Sequence, residues 1–126
     1  MSGNSATQWD SWIGREECRS DQLDHALARR WLATLDRSAM DDGVMPQGIH
    51  FCLCTPETPN AALGADGHPA RSDKPGSFFP PIPLPRRMWA GSRCTFEAPV
   101  RIGDSVERRS TITKIAEKSG AAGPMV

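Results

Sequence analysis

The stretch Gly76–Asp104, GSFFPPIPLPRRMWAGSRCTFEAPVRIGD, decides how this chain folds. No helix accommodates Pro80, Pro81, Pro83 and Pro85, because each proline removes a backbone donor and fixes φ near the polyproline value. Phe79–Pro85 is therefore an extended arm lying against other parts of the chain, with Phe78, Phe79, Ile82 and Leu84 available to hold it. Arg86 and Arg87 then deliver two adjacent cations before Met88-Trp89, an apolar pair that ordinarily seeks cover. Ser92–Ala98 sets Cys94, Phe96 and Ala98 against Arg93, Thr95 and Glu97, the period-two alternation of a half-buried strand. Pro99 and Gly103-Asp104 turn the chain into a second strand over Ser105–Ala116. Val106 and Ile112 share a parity there and Ile115 has the other, which predicts a bulge or an early strand end. Glu117–Gly123 reads as a glycine-rich reversal, and Pro124-Met125-Val126 as the start of a third strand.

Upstream, the polar residues Met1–Thr7 are expected to fray. Trp9, Trp12 and Ile13 form a first apolar cluster, ended by Gly14. Asp21 is a good N-cap for a helix over Gln22–Asp36, with Asp24 in its first turn and Arg37 just past its end. Leu23, Leu27, Trp31 and Leu35 recur at helical spacing, and Ala28 and Leu32 widen the stripe, so this helix is a core element. Asp41-Asp42-Gly43 marks a turn. Periodicity does not assign Ile49–Cys54 to strand or buried helix. Thr55–Gly76 is a loop long enough to be functional or mobile. A helix followed by consecutive antiparallel strands gives an α+β architecture.

With 126 residues and 38% hydrophobic content, one domain with a modest core is expected over residues 1–126. Fifteen basic and fifteen acidic side chains cancel, which argues against duplex nucleic acid or an anionic membrane face as partner. Twelve of the cations are arginines, suited to bidentate capture of phosphate or carboxylate. Cys18, Cys52, Cys54 and Cys94 form no C-x-x-C pair and read as reduced, mostly buried small hydrophobes. No secretory apolar region opens the chain and no apolar run is long enough to span a membrane, so a cytoplasmic protein is expected.

Phe79–Ser92 (FPPIPLPRRMWAGS), followed by Phe96-x-x-Pro99-Val-Arg-Ile-Gly103-Asp104, resembles the N-terminal half of the MaoC-like, fatty-acid-synthase-type acyl-CoA dehydratases. Within that family the likeness is to the mesaconyl-C4-CoA (3-methylfumaryl-CoA) hydratases and the fungal mitochondrial 3-hydroxyacyl-thioester dehydratases. Trp12-Ile13-Gly14-Arg15, Leu27-Ala28-Arg29-Arg30, Thr34-Leu35-Asp36, Pro46, His50, Asp66-Gly67-His68-Pro69 and Lys118-Ser119-Gly120…Gly123-Pro124-Met125-Val126 fall in the family's order. The resemblance implies a hot-dog fold, here the N-terminal half of a double hot dog with its final strand cut short and a sheet edge unpaired. It implies an acyl-CoA substrate, and as partner a C-terminal hot-dog half or a homo-oligomer.

In that family an Asp and a His, with four residues between them, act on the water from the C-terminal half. The residues five before His25, His50 and His68 are Ser20, Met45 and Leu63, so no catalytic residue is expected in this chain. Asp21 and His25 read as an ordinary helix-surface pair. His50 stands at a Trp-His-Trp-like family position, with Ile49 and Phe51 in place of the tryptophans. It reads either as a hydrogen-bonded core residue or as part of a pocket. His68 is either a turn residue holding its own backbone or a pocket residue.

Arg86 and Arg87 are the leading candidates for CoA phosphate, and Trp89 offers a face to adenine. The opposing reading makes the arginines a solvated pair that keeps the arm soluble. Pro80 and Pro83 form a P-x-x-P pair, but Arg86 is one place late for a polyproline-ligand register. No Walker loop, nucleophile elbow, H-E-x-x-H or dinucleotide fingerprint occurs, and no cofactor or metal is expected. The function expected is the N-terminal non-catalytic half of an acyl-CoA hydratase/dehydratase. The alternative is a non-catalytic CoA- or acyl-binding or structural hot-dog module.

Overall fold

Asp24, rather than Asp21, starts the helix. Its side chain accepts the backbone N–H of Leu27 at 2.8 Å, and α1 runs His25–Thr34. A computed structural model describes residues 6–38 and 42–126. Most of the frayed N-terminus expected from the sequence, and Asp41 of the Asp-Asp-Gly turn, lie outside the described residues.

Asp21 and Gln22 belong instead to a strand, β1 (Glu16–Gln22), that the sequence reading did not anticipate. The reason is local. The Asp21 carboxylate accepts the backbone N–H groups of Gln22 and Cys54, both at 2.8 Å, so its capping capacity is used elsewhere. At the other end, Arg37 N–H bonds Leu32 O at 2.9 Å and Asp36 N–H bonds Ala33 O at 3.2 Å, with Asp36 at φ 52°. That is the Schellman closure, with an aspartate in the left-handed position that glycine usually takes.

Two units divide the chain. One comprises residues up to Glu17, Glu57–Trp89 and Arg109–Val126; the other comprises Cys18–Pro56 and Ala90–Arg108. The second unit holds the hydrophobic core: Leu23, Ala28, Leu32, Met45, Ile49, Leu53 and Cys54 are buried together. Leu23 keeps its core place although it precedes the helix. Its N–H bonds Asp104 O at 3.0 Å and its carbonyl accepts Gly103 N–H at 2.7 Å. The turn that presents those groups closes through Arg101 N–H to Asp104 Oδ2 at 2.8 Å, with Gly103 at φ 94°, where a side chain would be strained. Val44 bridges Arg101, and Met45 N–H bonds Val100 O at 2.8 Å. The ambiguous Ile49–Cys54 run begins as a 3-10 turn over Ile49–Cys52.

Ser92–Ala98 corrects a sequence expectation. No strand forms over Ser92–Ala98, and all seven residues are exposed. Alternation supplies a face, but a strand also needs a neighbour to satisfy its backbone groups.

In the first unit, a 3-10 turn over Asp10–Trp12 buries Trp12. The Arg15 guanidinium lies 3.4 Å from the centroid of that ring. Gly14 N–H bonds Ile112 O at 2.7 Å, and Ile112 N–H bonds Arg15 O at 3.0 Å. β2 (Ser105–Thr111) is the sheet neighbour of β1 and ends before the expected Ala116, consistent with the parity change at Ile115. The glycine-rich reversal is a hairpin: β3 (Lys118–Gly120) pairs antiparallel with β4 (Gly123–Met125). The architecture is a small mixed helix-and-strand arrangement with antiparallel pairing.

All four cysteines are free. Only Cys54 is buried; Cys52 is half-buried, and Cys18 and Cys94 are exposed, against the expectation of mostly buried thiols. No helix among the described residues is long and apolar enough to cross a membrane.

Candidate functional site

The proline arm has no regular secondary structure, and Pro80 is buried. An arm rich in proline has carbonyl acceptors but few N–H donors, so it must be held by donors from elsewhere. Arg71 supplies them: its Nη1 donates to the carbonyls of Ile82 and Leu84. A second arginine reaches the opposite way. Arg87 donates Nη2–H to the carbonyl of Pro69 at 2.8 Å, and its Nε lies 3.9 Å from Asp66 Oδ2.

The loop end of this clasp is built by Asp66. Its Oδ1 accepts His68 N–H at 3.1 Å, Gly64 N–H bonds His68 O at 2.7 Å, and Leu63 bridges Pro69. Gly67 sits at φ 78°, which makes the turn possible. The hydrogen bond from His68 N–H holds the Asp66 carboxyl below the usual range, aided by the His68 ring and Arg87. Asp21 is lowered likewise, by the Cys54 and Gln22 N–H groups.

Asp66, His68 and Arg87 are thus brought together: His68 Nδ1 is 3.3 Å from Asp66 Oδ2. His68 holds its own turn, as one of the two sequence readings had it. Arg86 is exposed beside this clasp in sequence. Met88 and Trp89 are 87% and 79% exposed, so the apolar pair does not find the cover the sequence led us to expect. Asp66 and Arg71 were not among the candidate residues. The signal that could have found Arg71 is the donor deficit of the arm itself.

A cavity of about 340 Å³ opens in this unit between the arm and the β3–β4 hairpin, lined by Trp9, Ile82, Leu84, Lys118 and Met125 among others. Its apolar lining is interrupted by Gln8, Ser119 and the oppositely charged neighbours Glu117 and Lys118.

His50 belongs to the second unit. It is exposed and stands between two aromatic rings, Phe51 at 4.1 Å and Phe96 at 5.6 Å between centroids. It is not a core histidine, and it borders a second cavity of about 290 Å³. No cluster of histidine, cysteine and carboxylate groups able to hold a metal occurs among the described residues.

The family model for hydroxyacyl-thioester dehydratase type 2 matches residues 48–125, a segment that contains His50, His68, Arg86, Arg87 and Trp89. The chain belongs to the hydroxyacyl-thioester dehydratase type 2 family. It is also 40% identical over 124 residues to the Mesaconyl-C(4)-CoA hydratase of Chloroflexus aurantiacus. That alignment covers 96% of this chain and 43% of the relative, so the chain spans less than half the relative's length. The resemblance read from the proline-arginine arm therefore holds, including its half-length extent. For a dehydratase-type family the chemistry needed is a proton shuttle beside a thioester. The Asp66–His68 contact does not look like one: it joins residues two apart in a turn, and neither cavity is lined by either residue.

Proposed function

We propose that this chain is the N-terminal, non-catalytic half of an acyl-CoA hydratase/dehydratase that adds water to, or removes it from, a 2-enoyl-CoA thioester. Family membership and the 40% identity to a CoA-thioester hydratase over nearly the whole chain support the reaction class. The observation that carries the non-catalytic part is the turn-bound Asp66–His68 pair, set apart from both cavities.

In this reading the fold is one half of a double hot dog, residues 1–126 form a single N-terminal domain, and the exposed Ser92–Ala98 edge is part of an incomplete sheet. That edge pairs with a strand from a C-terminal half or from a second copy. The setting is cytoplasmic. Arg86 takes CoA phosphate, with Trp89 alongside; Arg87 and His68 keep the arm and its loop in position for that contact. Within the second unit, His50 is a separate candidate contact.

The acid and base that act on the water, and the amides that hold the developing enolate oxygen, come from the partner half. The test is complementation: hydration of an enoyl-CoA by the chain alone against the chain supplied with its missing half.

A structural-module reading draws on one observation: Arg87 donates to the Pro69 carbonyl and lies beside Asp66, a structural use of that cation, although its buried Nε has no hydrogen-bond partner among the described residues. Arg86 is exposed, and for that reason the CoA-binding reading is preferred.

A further inference from the structure

The cavity beside His50 is built from two segments, Val44–His50 and Phe96–Val100. They are pinned at one end by the Val44–Arg101 bridge and the 2.8 Å bond from Met45 N–H to Val100 O. From that base they part, and the His50 and Phe96 rings meet edge to face at 68°. Val44, Met45, Pro46 and Ile49 supply an apolar floor, with Met45 and Ile49 anchored in the core. Two side chains add polarity beyond the histidine: the amide of Gln47 and the carboxylate of Glu97.

Size and charge narrow what fits. At about 290 Å³ the cleft lies at the lower end of the roughly 300–1,000 Å³ found for small-molecule sites, so it seats one ring system rather than a whole nucleotide thioester. Glu97 is the acidic side chain of the lining, which holds no lysine or arginine, and this disfavours a phosphate. Aromatic walls favour a flat partner. A carboxylate and an amide oxygen favour one that donates hydrogen bonds. Among the parts of a CoA thioester, the phosphates are anionic and the pantetheine and acyl portions are chains. Adenine alone is flat, uncharged and carries an amine.

We propose that the cleft between Val44–His50 and Phe96–Val100 binds the adenine ring of the CoA thioester. The ring stacks on Phe96 and His50, and its amine donates to Glu97. This rests on the CoA-thioester reading above, and assigns the purine to His50 and Phe96 rather than to Trp89.

The experiment titrates adenosine, inosine and pantetheine into the full 126-residue protein, followed by amide chemical shifts. Adenosine should shift signals of residues 44–50 and 96–100. Inosine, with a carbonyl in place of the amine, should bind more weakly, and pantetheine should leave these signals in place. Phe96→Ala should weaken adenosine about 5- to 140-fold, the range for loss of one base–aromatic stack. Glu97→Gln should shrink the preference for adenosine over inosine. Phe96 and Glu97 are both exposed, so an unchanged unfolding transition will confirm that the variants fold.

Unmoved signals or wild-type affinity in both variants would overturn the proposal, as would adenosine binding that disappears in the self-associated chain, which would mean that another copy covers the cleft. Thioester turnover by the complemented enzyme with KM unchanged in both variants would remove the adenine site and leave the hydratase reading intact. Adenosine binding lost in Phe96→Ala, without any thioester turnover, would do the reverse.

Discussion

Arg87 and Pro69, eighteen residues apart, are joined by a 2.8 Å hydrogen bond from the guanidinium to the carbonyl. With Arg71 donating to Ile82 and Leu84 in the opposite direction, the 66–71 loop and the proline arm clasp each other through two arginines. This separates the roles of two neighbours that the sequence presents as a pair.

Arg87→Ala should therefore lower thermal stability and speed amide exchange in residues 63–71, since it frees the Pro69 carbonyl and removes a cation beside Asp66. Arg86→Ala should leave stability within about 0.5 kcal/mol, as for an exposed residue. It should weaken CoA by at least about tenfold, because one charge-assisted hydrogen bond is worth about 1.5–3 kcal/mol. Calorimetric titration reads the second effect, and the loss should shrink at high salt if the site is open to solvent. Equal CoA affinity in wild type and Arg86→Ala would return Arg86 to a solubilising role.

The Asp24 cap gives a sharper test of the helix. Asp24→Ala removes the acceptor for Leu27 N–H and should cost about 1 kcal/mol, within about 0.5–2. Asp21→Ala should act differently, by loosening the contact with Cys54 rather than the helix start. Denaturant titration followed by far-ultraviolet circular dichroism would reveal an unchanged midpoint in Asp24→Ala if the cap is elsewhere.

Two depressed carboxyls make stability sensitive to acid. Asp21 and Asp66 both lie below their ordinary value of 3.8 because backbone N–H groups hydrogen-bond their charged forms. A carboxyl lowered in the folded state contributes its full stability above the unfolded value and loses it as pH falls through the folded value. Stability should thus be level with respect to these groups above about pH 5 and decline below about pH 4. Asp21→Asn and Asp66→Asn should each flatten that decline. A decline of the same steepness in both variants would assign it to other carboxylates.

Much of this was legible in the chain. The donor-poor arm, the buried Ala28 and Leu32 of the helix stripe, the reversal near Gly120 and the early end of β2 follow from proline chemistry and side-chain periodicity, whereas Leu35 of that stripe caps the helix and is exposed. The helix start was misread because Asp21 and Asp24 are equally good caps in isolation. Only the approach of Cys54, thirty-three residues away, decides between them. The Ser92–Ala98 strand failed for a related reason: alternation is a local signal, while a strand also needs a neighbour that parity does not supply. Among site residues, Arg86 and Arg87 were inseparable in sequence, and Arg71 became visible only once its acceptors were in view.

The exposed, alternating stretch Arg93–Ala98 should also be sticky. Sedimentation of the isolated chain should give a mass above the monomer, and Thr95→Lys, a charge on the edge, should reduce it. A monomer with a cooperative thermal transition would mean that the edge is already satisfied.

The most direct measurement is hydration of crotonyl-CoA and mesaconyl-CoA by the purified chain, alone and combined with the part of the Chloroflexus aurantiacus hydratase that it does not span. The account predicts no turnover above buffer for the chain alone and clear turnover for the combination. Robust turnover by the 126-residue chain alone, or none from a combination shown to assemble and bind CoA, would contradict it.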